Sequence, residues 1–228
     1  MKAVQIEEEL KKLADPSRAK VVAGYFKTGK GEYGEGDVFL GVMMGDIRIV
    51  SKKYKNLPYS ETVKLIRSPL HEIRMCGVLL LVLRYKEDSE KVFNLYIKER
   101  KHINNWDLID SSADKIVGAY LFDKDLSLLK KLAYSKSLWD RRIAIIATFY
   151  FIKNGSAKEN FEIAEILIND KQDLIHKAVG WMLREVGKMD EKVLTKFLDQ
   201  NATKMPRTML RYSIEKFPEE KRKYYLNK

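Results

Sequence analysis

The chain has 228 residues, a hydrophobic content of 45% and a formal net charge of +11. That is enough apolar material for one large domain or a short repeat array with a sizeable core. One cysteine excludes a disulfide framework, and no apolar run approaches the roughly 18 residues needed to span a bilayer, so a soluble, cytoplasmic protein without a membrane partner is expected.

The opening segment MKAVQIEEELKKLAD reads as a charged amphipathic helix rather than a signal peptide. Excess positive charge suits a surface that neutralises phosphates, although charge alone does not separate such a surface from one that is basic for solubility. The excess is strong at the C-terminal end. Residues 201–228 carry eight bases (Lys204, Arg207, Arg211, Lys216, Lys221, Arg222, Lys223, Lys228) against three acids.

After helices over residues 1–27, the stretch TGKGEYGEGDVFLGV at 28–42 breaks the pattern. It contains a formal GxGxxG, Gly29 to Gly34. No strand precedes it, and Glu32, Glu35 and Asp37 would repel phosphates, so it reads as a flexible connection and not a nucleotide loop. From about residue 43 to 228 the apolar residues recur at helical period. The runs are EIRMCGVLLLVLRYKE, KVFNLYIKER, LSLLKKLAY, RRIAIIATFYFIKN, NFEIAEILIND, DLIHKAVGWMLREVGK and EKVLTKFLDQ. Only VKLIRS has a strand-like composition, and no sheet is expected. The longer helices are expected to begin near His71, Asn105, Leu138, Asp173 and Pro206, every 33 to 35 residues. That is the period of stacked two-helix repeats. The expectation is therefore a single all-α domain, an α-solenoid of HEAT-like repeats with a concave basic groove.

Set in one register, the segments IRMCGV, IDSSAD, RRIAII, HKAVGW and PRTMLR bring Arg74, Asp110, Arg142, Lys177 and Arg207 to a common position. If that position faces the groove, Asp110 is the single carboxylate in a basic wall. Asn104 or Asn105 can cap the helix that carries it. Trp106 lies four residues before Asp110 on the same face. Asp107 is turned away by about 100° and suits the positive end of the helix dipole. Trp139 and Trp181 stand within four residues of the same position, although any one Trp is more often a packing residue. His71, His102 and His176 form no metal spacing, and each reads as structural or exposed. Cys76 lies in an apolar run and reads as a buried reduced thiol.

The segments NNWDLIDSSADKIVG, SLWDRRIAIIATFYFI, HKAVGWMLREVGK and MPRTMLRYSIEKF, with YGEGDVFLGV near the start, resemble the AlkD-type DNA alkylation repair glycosylases from about Tyr33 to about Phe217. The resemblance implies HEAT-like repeats. It also implies excision of N-alkylated purines, such as 3-methyladenine and 7-methylguanine, from double-stranded DNA without a metal or organic cofactor. By matched residue it implies that Asp110, the second acid of W-D-x-x-D, is the catalytic carboxylate. Trp106 is then the aromatic one turn before it, Arg142 of W-x-x-R holds the DNA backbone, and Trp181 of G-W-x-L-R-E meets the lesion. Lys177 and Arg207, from the register, are further candidate phosphate contacts. TFYFI after Arg142 offers no second basic contact. A monomer is expected. Two rival readings stay open: a non-catalytic repeat protein that binds damaged or branched DNA, and a protein-binding scaffold.

Overall fold

The computed structural model describes Met1–Lys228, and its regular structure is helical throughout. The one β feature is an isolated parallel bridge between Val38 and Leu70. The chain divides into two compact units, Met1–Ser112 and Ala113–Lys228.

The first unit contains α1 (Ala3–Lys12), α2 (Pro16–Tyr25), α3 (Met44–Lys53), α4 (Tyr59–Ile66), α5 (His71–Arg84), α6 (Ser89–Glu99) and α7 (Trp106–Asp110). The strand-like VKLIRS is mostly the end of α4. Helix α2 starts where the DPSR sequence says it should. The Asp15 carboxylate accepts the N–H groups of Ser17 and Arg18 at 3.0 and 3.1 Å, and Pro16 occupies the first turn, where its missing N–H costs nothing. Helix α5 is the core of this unit and packs against α3 and α4. Its residues Ile73, Cys76, Val78, Leu80 and Leu81 are fully buried. Cys76 is a free thiol that accepts a hydrogen bond from Ser51 Oγ at 3.2 Å, and burial pushes it up to about 11.

The glycine-rich stretch is not merely a flexible connection. Glu72, only 3% exposed, accepts the backbone N–H groups of Leu40, Gly41 and Val42 at 2.8, 2.7 and 3.3 Å. The His71 N–H donates to the Val38 carbonyl, and the Asp15 N–H to that of Leu40. Gly41 is required here. Its φ is +79°, and a Cβ would lie 2.2 Å from the Asp15 carbonyl oxygen. Glu72→Ala leaves three backbone donors, two of them buried, without their acceptor and should cost about 2 kcal/mol in urea unfolding, with Glu72→Gln losing less because an acceptor oxygen remains.

The second unit begins with a π-helical turn, Asp114–Gly118, that runs into α8 (Ala119–Leu121). It continues with α9 (Ser127–Ala133), α10 (Leu138–Lys153), α11 (Lys158–Leu167), α12 (Asp173–Met189), α13 (Glu191–Asn201), α14 (Arg207–Ser213) and α15 (Glu219–Leu226). The π turn packs on α10, α10 on α12, and α12 on α14, while α11 and α13 pack beside the helices they follow. This is the row-and-partner arrangement of stacked helix pairs. The approach of α12 to α14 depends on Gly180, where a Cβ would lie 2.5 Å from Tyr212 Cβ and 2.6 Å from the Met209 carbonyl oxygen. Helix α10 buries Ile143 through Ala147 almost completely, so no amphipathic stripe survives in its sequence. The longer helices start at His71, Leu138, Asp173 and Arg207, with the short α7 at Trp106, within a residue of the expected positions.

Candidate functional site

In the first unit the site is built on α7. Asn105 caps it, its side-chain oxygen accepting the Trp106 N–H at 2.9 Å. Leu108 and Ile109 are fully buried, while Trp106 and Asp110 are both partly exposed. The Ser112 hydroxyl fixes the end of the segment, donating to the Leu108 carbonyl at 2.6 Å and meeting the Tyr96 hydroxyl at 2.9 Å.

Trp106 is held by aromatic contacts. Its indole stacks on Phe26 at 4.9 Å and 6°, with Tyr25 edge-on at 5.9 Å. Phe26 meets Phe39, which stacks on the His71 imidazole at 4.4 Å. These rings line a pocket of about 490 Å³ that also reaches Met43, Ile47 and Asp107.

Beside the rings lies a buried polar cluster that the sequence does not announce. His71 Nδ1 is 2.8 Å from Asp37 Oδ2, and its Nε2 is 2.8 Å from Asp107 Oδ2. Asn105 Nδ2 donates to Asp37 at 3.2 Å. Arg74, aligned by register with the groove position, is instead 5% exposed. It donates to Asp37 Oδ1 at 2.7 Å and to the carbonyls of Ser68 and Pro69 at 3.1 Å. Burial would push the Asp37 carboxyl up, but the hydrogen bond and charge of His71, with the charge of Arg74, hold it at about 2. Burial works against a charged His71. The hydrogen bonds and charges of Asp107 and Asp37 outweigh it and raise the imidazole to about 9. Asp107 therefore does more than complement the helix dipole.

In the second unit, Arg142, Lys177, Trp181 and Arg207 lie on α10, α12 and α14. Arg142 is 5% exposed and donates to the Leu174 carbonyl at 2.7 Å, which ties α10 to the first turn of α12. Lys177 is partly exposed and pairs with Asp173 on its own helix at 2.7 Å. Trp181 donates to Glu185 at 3.1 Å and lies 6.0 Å from the Phe149 ring. Arg207 and Arg211 are exposed on α14. Lys153, one residue beyond TFYFI, stands 3.8 Å over the Phe149 ring and pairs with the buried Asp114 at 2.8 Å. Among the C-terminal bases, Lys216, Lys221, Lys223 and Lys228 have carboxylate partners in Glu215, Glu191, Glu219 and Asp199. Much of that end's charge is therefore locally balanced.

No group of three or more His, Cys, Asp or Glu residues could hold a metal ion, and no helix is long and apolar enough to cross a membrane. A solved structure described as a predicted DNA alkylation repair enzyme from Enterococcus faecalis is similar in fold, with a TM-score of 0.69 at 15% identity. The match covers 90% of this chain and 97% of that one. No curated protein sequence matches. The family model for DNA alkylation repair enzymes matches residues 6–217, and the chain belongs to that family.

Proposed function

We propose that the protein is a DNA glycosylase that excises cationic N-alkylated purines, such as 3-methyladenine and 7-methylguanine, from duplex DNA. One observation carries this reading. In a chain of the alkylation repair family, α7 buries Leu108 and Ile109 and leaves Trp106 and Asp110 partly exposed, one turn apart.

The chemistry suits those residue types. An N3- or N7-alkylated purine already carries positive charge, so it leaves with the glycosidic electron pair without a strong general acid. The sugar left behind becomes oxocarbenium-like at C1′. Asp110 stabilises that charge and accepts a proton from the water that adds to C1′. The indole face of Trp106 attracts the cationic base, at roughly 0.5–2 kcal/mol, and Trp181 is a candidate aromatic contact of the second unit with the DNA. Arg142 fixes the register at a phosphate from its tie to Leu174, while Lys177 and Arg207 add salt-sensitive binding without sequence preference.

This mechanism confines the enzyme to labile, charged lesions. Wild-type protein should release 7-methylguanine and 3-methyladenine from methylated duplex DNA and leave uracil and hypoxanthine in place, as followed by chromatography of the freed bases. Uracil release at a rate like that of 7-methylguanine would overturn the mechanism.

A further inference from the structure

We propose that His71, as an imidazolium bridging Asp37 and Asp107, is a positioning residue that holds α7, and with it Trp106 and Asp110, in the arrangement that excision requires. The proposal rests on the excision reading for its catalytic consequence, and on geometry alone for the bridge.

Each ring nitrogen of His71 faces a carboxylate oxygen at 2.8 Å. A neutral imidazole has one N–H, so one of these contacts would set lone pair against lone pair. Two carboxylates are satisfied together only by the doubly protonated ring. The ring itself is buried, with Phe39 stacked on one side and Phe26 nearby at 5.2 Å, so water is poorly placed to replace either contact.

The charges in contact with the ring fit a cation at this position; Arg18 of α2, paired with Asp15, and the exposed Arg48 of α3 line the same pocket as His71 and Asp107. Asp37 comes from the glycine-rich stretch and Asp107 from the first turn of α7. From α5 itself, Arg74 Nη2 lies 3.5 Å from His71 Nδ1, with its charge turned to Asp37. Glu72, the next residue, is committed to the amides of Leu40 to Val42. Glu35, Arg67 and His102 line a separate pocket against Asp37 and Arg74. A single net positive ring thus joins two elements that are 70 residues apart in the chain. Asp107 is adjacent to Trp106 and three residues before Asp110, so losing its contact loosens the turn that carries both.

The pH dependence follows from the two shifts. The His71 pKa is raised, so its stabilisation is complete below about 6.5, the free imidazole value, and is lost as pH rises through about 9. The Asp37 pKa is lowered, so its stabilisation is complete above its ordinary value near 3.8 and is lost only as pH falls towards about 2. The bridge should therefore fail on the alkaline side first.

The test uses the whole chain, labelled with 5-fluorotryptophan and ring-¹³C histidine and titrated by NMR. The His71 signal should titrate near about 9, and the Trp106 fluorine signal, identified by its loss in Trp106→Phe, should move with the same midpoint. In Asp107→Asn one carboxylate is gone, and the His71 midpoint should fall by about 1–3 units. In wild type, the single-turnover excision rate at saturating DNA should drop about tenfold per pH unit above the shared midpoint, while duplex binding changes far less. A His71 midpoint at or below about 6.5, or a Trp106 signal that does not follow it, overturns the bridge whether or not excision is seen. Shared midpoints with an unaltered excision rate overturn the positioning role. Shared midpoints with no excision at any pH overturn the glycosylase reading and leave the bridge standing.

Discussion

Asp110→Asn should lower the single-turnover rate of methylated-purine release by about 10²- to 10³-fold, while affinity for a duplex with a stable abasic analogue changes little. The substitution keeps the side chain's size and removes its charge. In the proposed mechanism that charge is what the developing oxocarbenium ion meets, so the loss falls on the transition state and corresponds to about 3–4 kcal/mol. In the proposed mechanism ground-state binding is carried by phosphate contacts elsewhere. The local fold should survive, because α7 is anchored by buried Leu108 and Ile109, by the Asn105 cap and by the Ser112 hydroxyl. A rate within a few-fold of wild type would remove Asp110 from the mechanism. Equal loss of rate and binding would make it a structural residue. Failure of wild type itself to release a base, with duplex binding intact, would move the protein to the non-catalytic DNA-binding reading.

Gly118→Val should destabilise the second unit by about 3 kcal/mol, measured as the fall in its urea unfolding midpoint. Gly118 ends the π turn against α10. A Cβ there would lie 2.2 Å from the Ala147 carbonyl oxygen and 2.8 Å from Tyr150 Cβ. The first of these is backbone in the middle of a buried helix, and it cannot rotate aside. The α10 helix would have to retreat, taking Arg142 and the Leu174 contact with it. Gly155→Ala is the useful control. Its φ of +87° makes a side chain strained, but nothing lies within 4 Å of the new atom, so its cost should be about 1 kcal/mol. Equal effects for the two would mean that α10 yields more readily than its packing indicates.

The helical architecture was legible because apolar periodicity and turn residues report directly on which faces are buried. The starts of α12 at Asp173 and of α14 one residue after the expected Pro206 followed from apolar periodicity and turn residues, and the repeat spacing was read from such starts. Register along those helices was harder to read. The ungapped alignment put Arg74 in a groove, yet a guanidinium aimed at two loop carbonyls and a buried aspartate looks no different in sequence from one aimed at solvent. The π turn shifts the helical phase only from Asp114, the last residue of the aligned IDSSAD, to the end of α8 at Leu121. Trp106 and Asp110 could be placed on one helix face from sequence because they lie four residues apart. Asp37 was missed as a partner because its contacts lie 34 to 68 residues away, and nothing local marks it. The acids of the glycine-rich stretch argued against a phosphate loop, but the positive charge that Asp37 answers comes from α5.

The fastening of that stretch bears on how the chain folds. Stacked helix pairs gain most of their contacts from near neighbours and so assemble quickly. The second unit follows that rule, each helix closing on the next or the next but one. The first unit adds a closure of longer reach: Asn105 with Asp37 across 68 residues, in the same cluster as His71. Such a closure costs chain entropy before its contact repays it. The helices of the first unit can therefore form and pair while its glycine-rich stretch is still searching, and the cluster beside Trp106 and Asp110 is completed last.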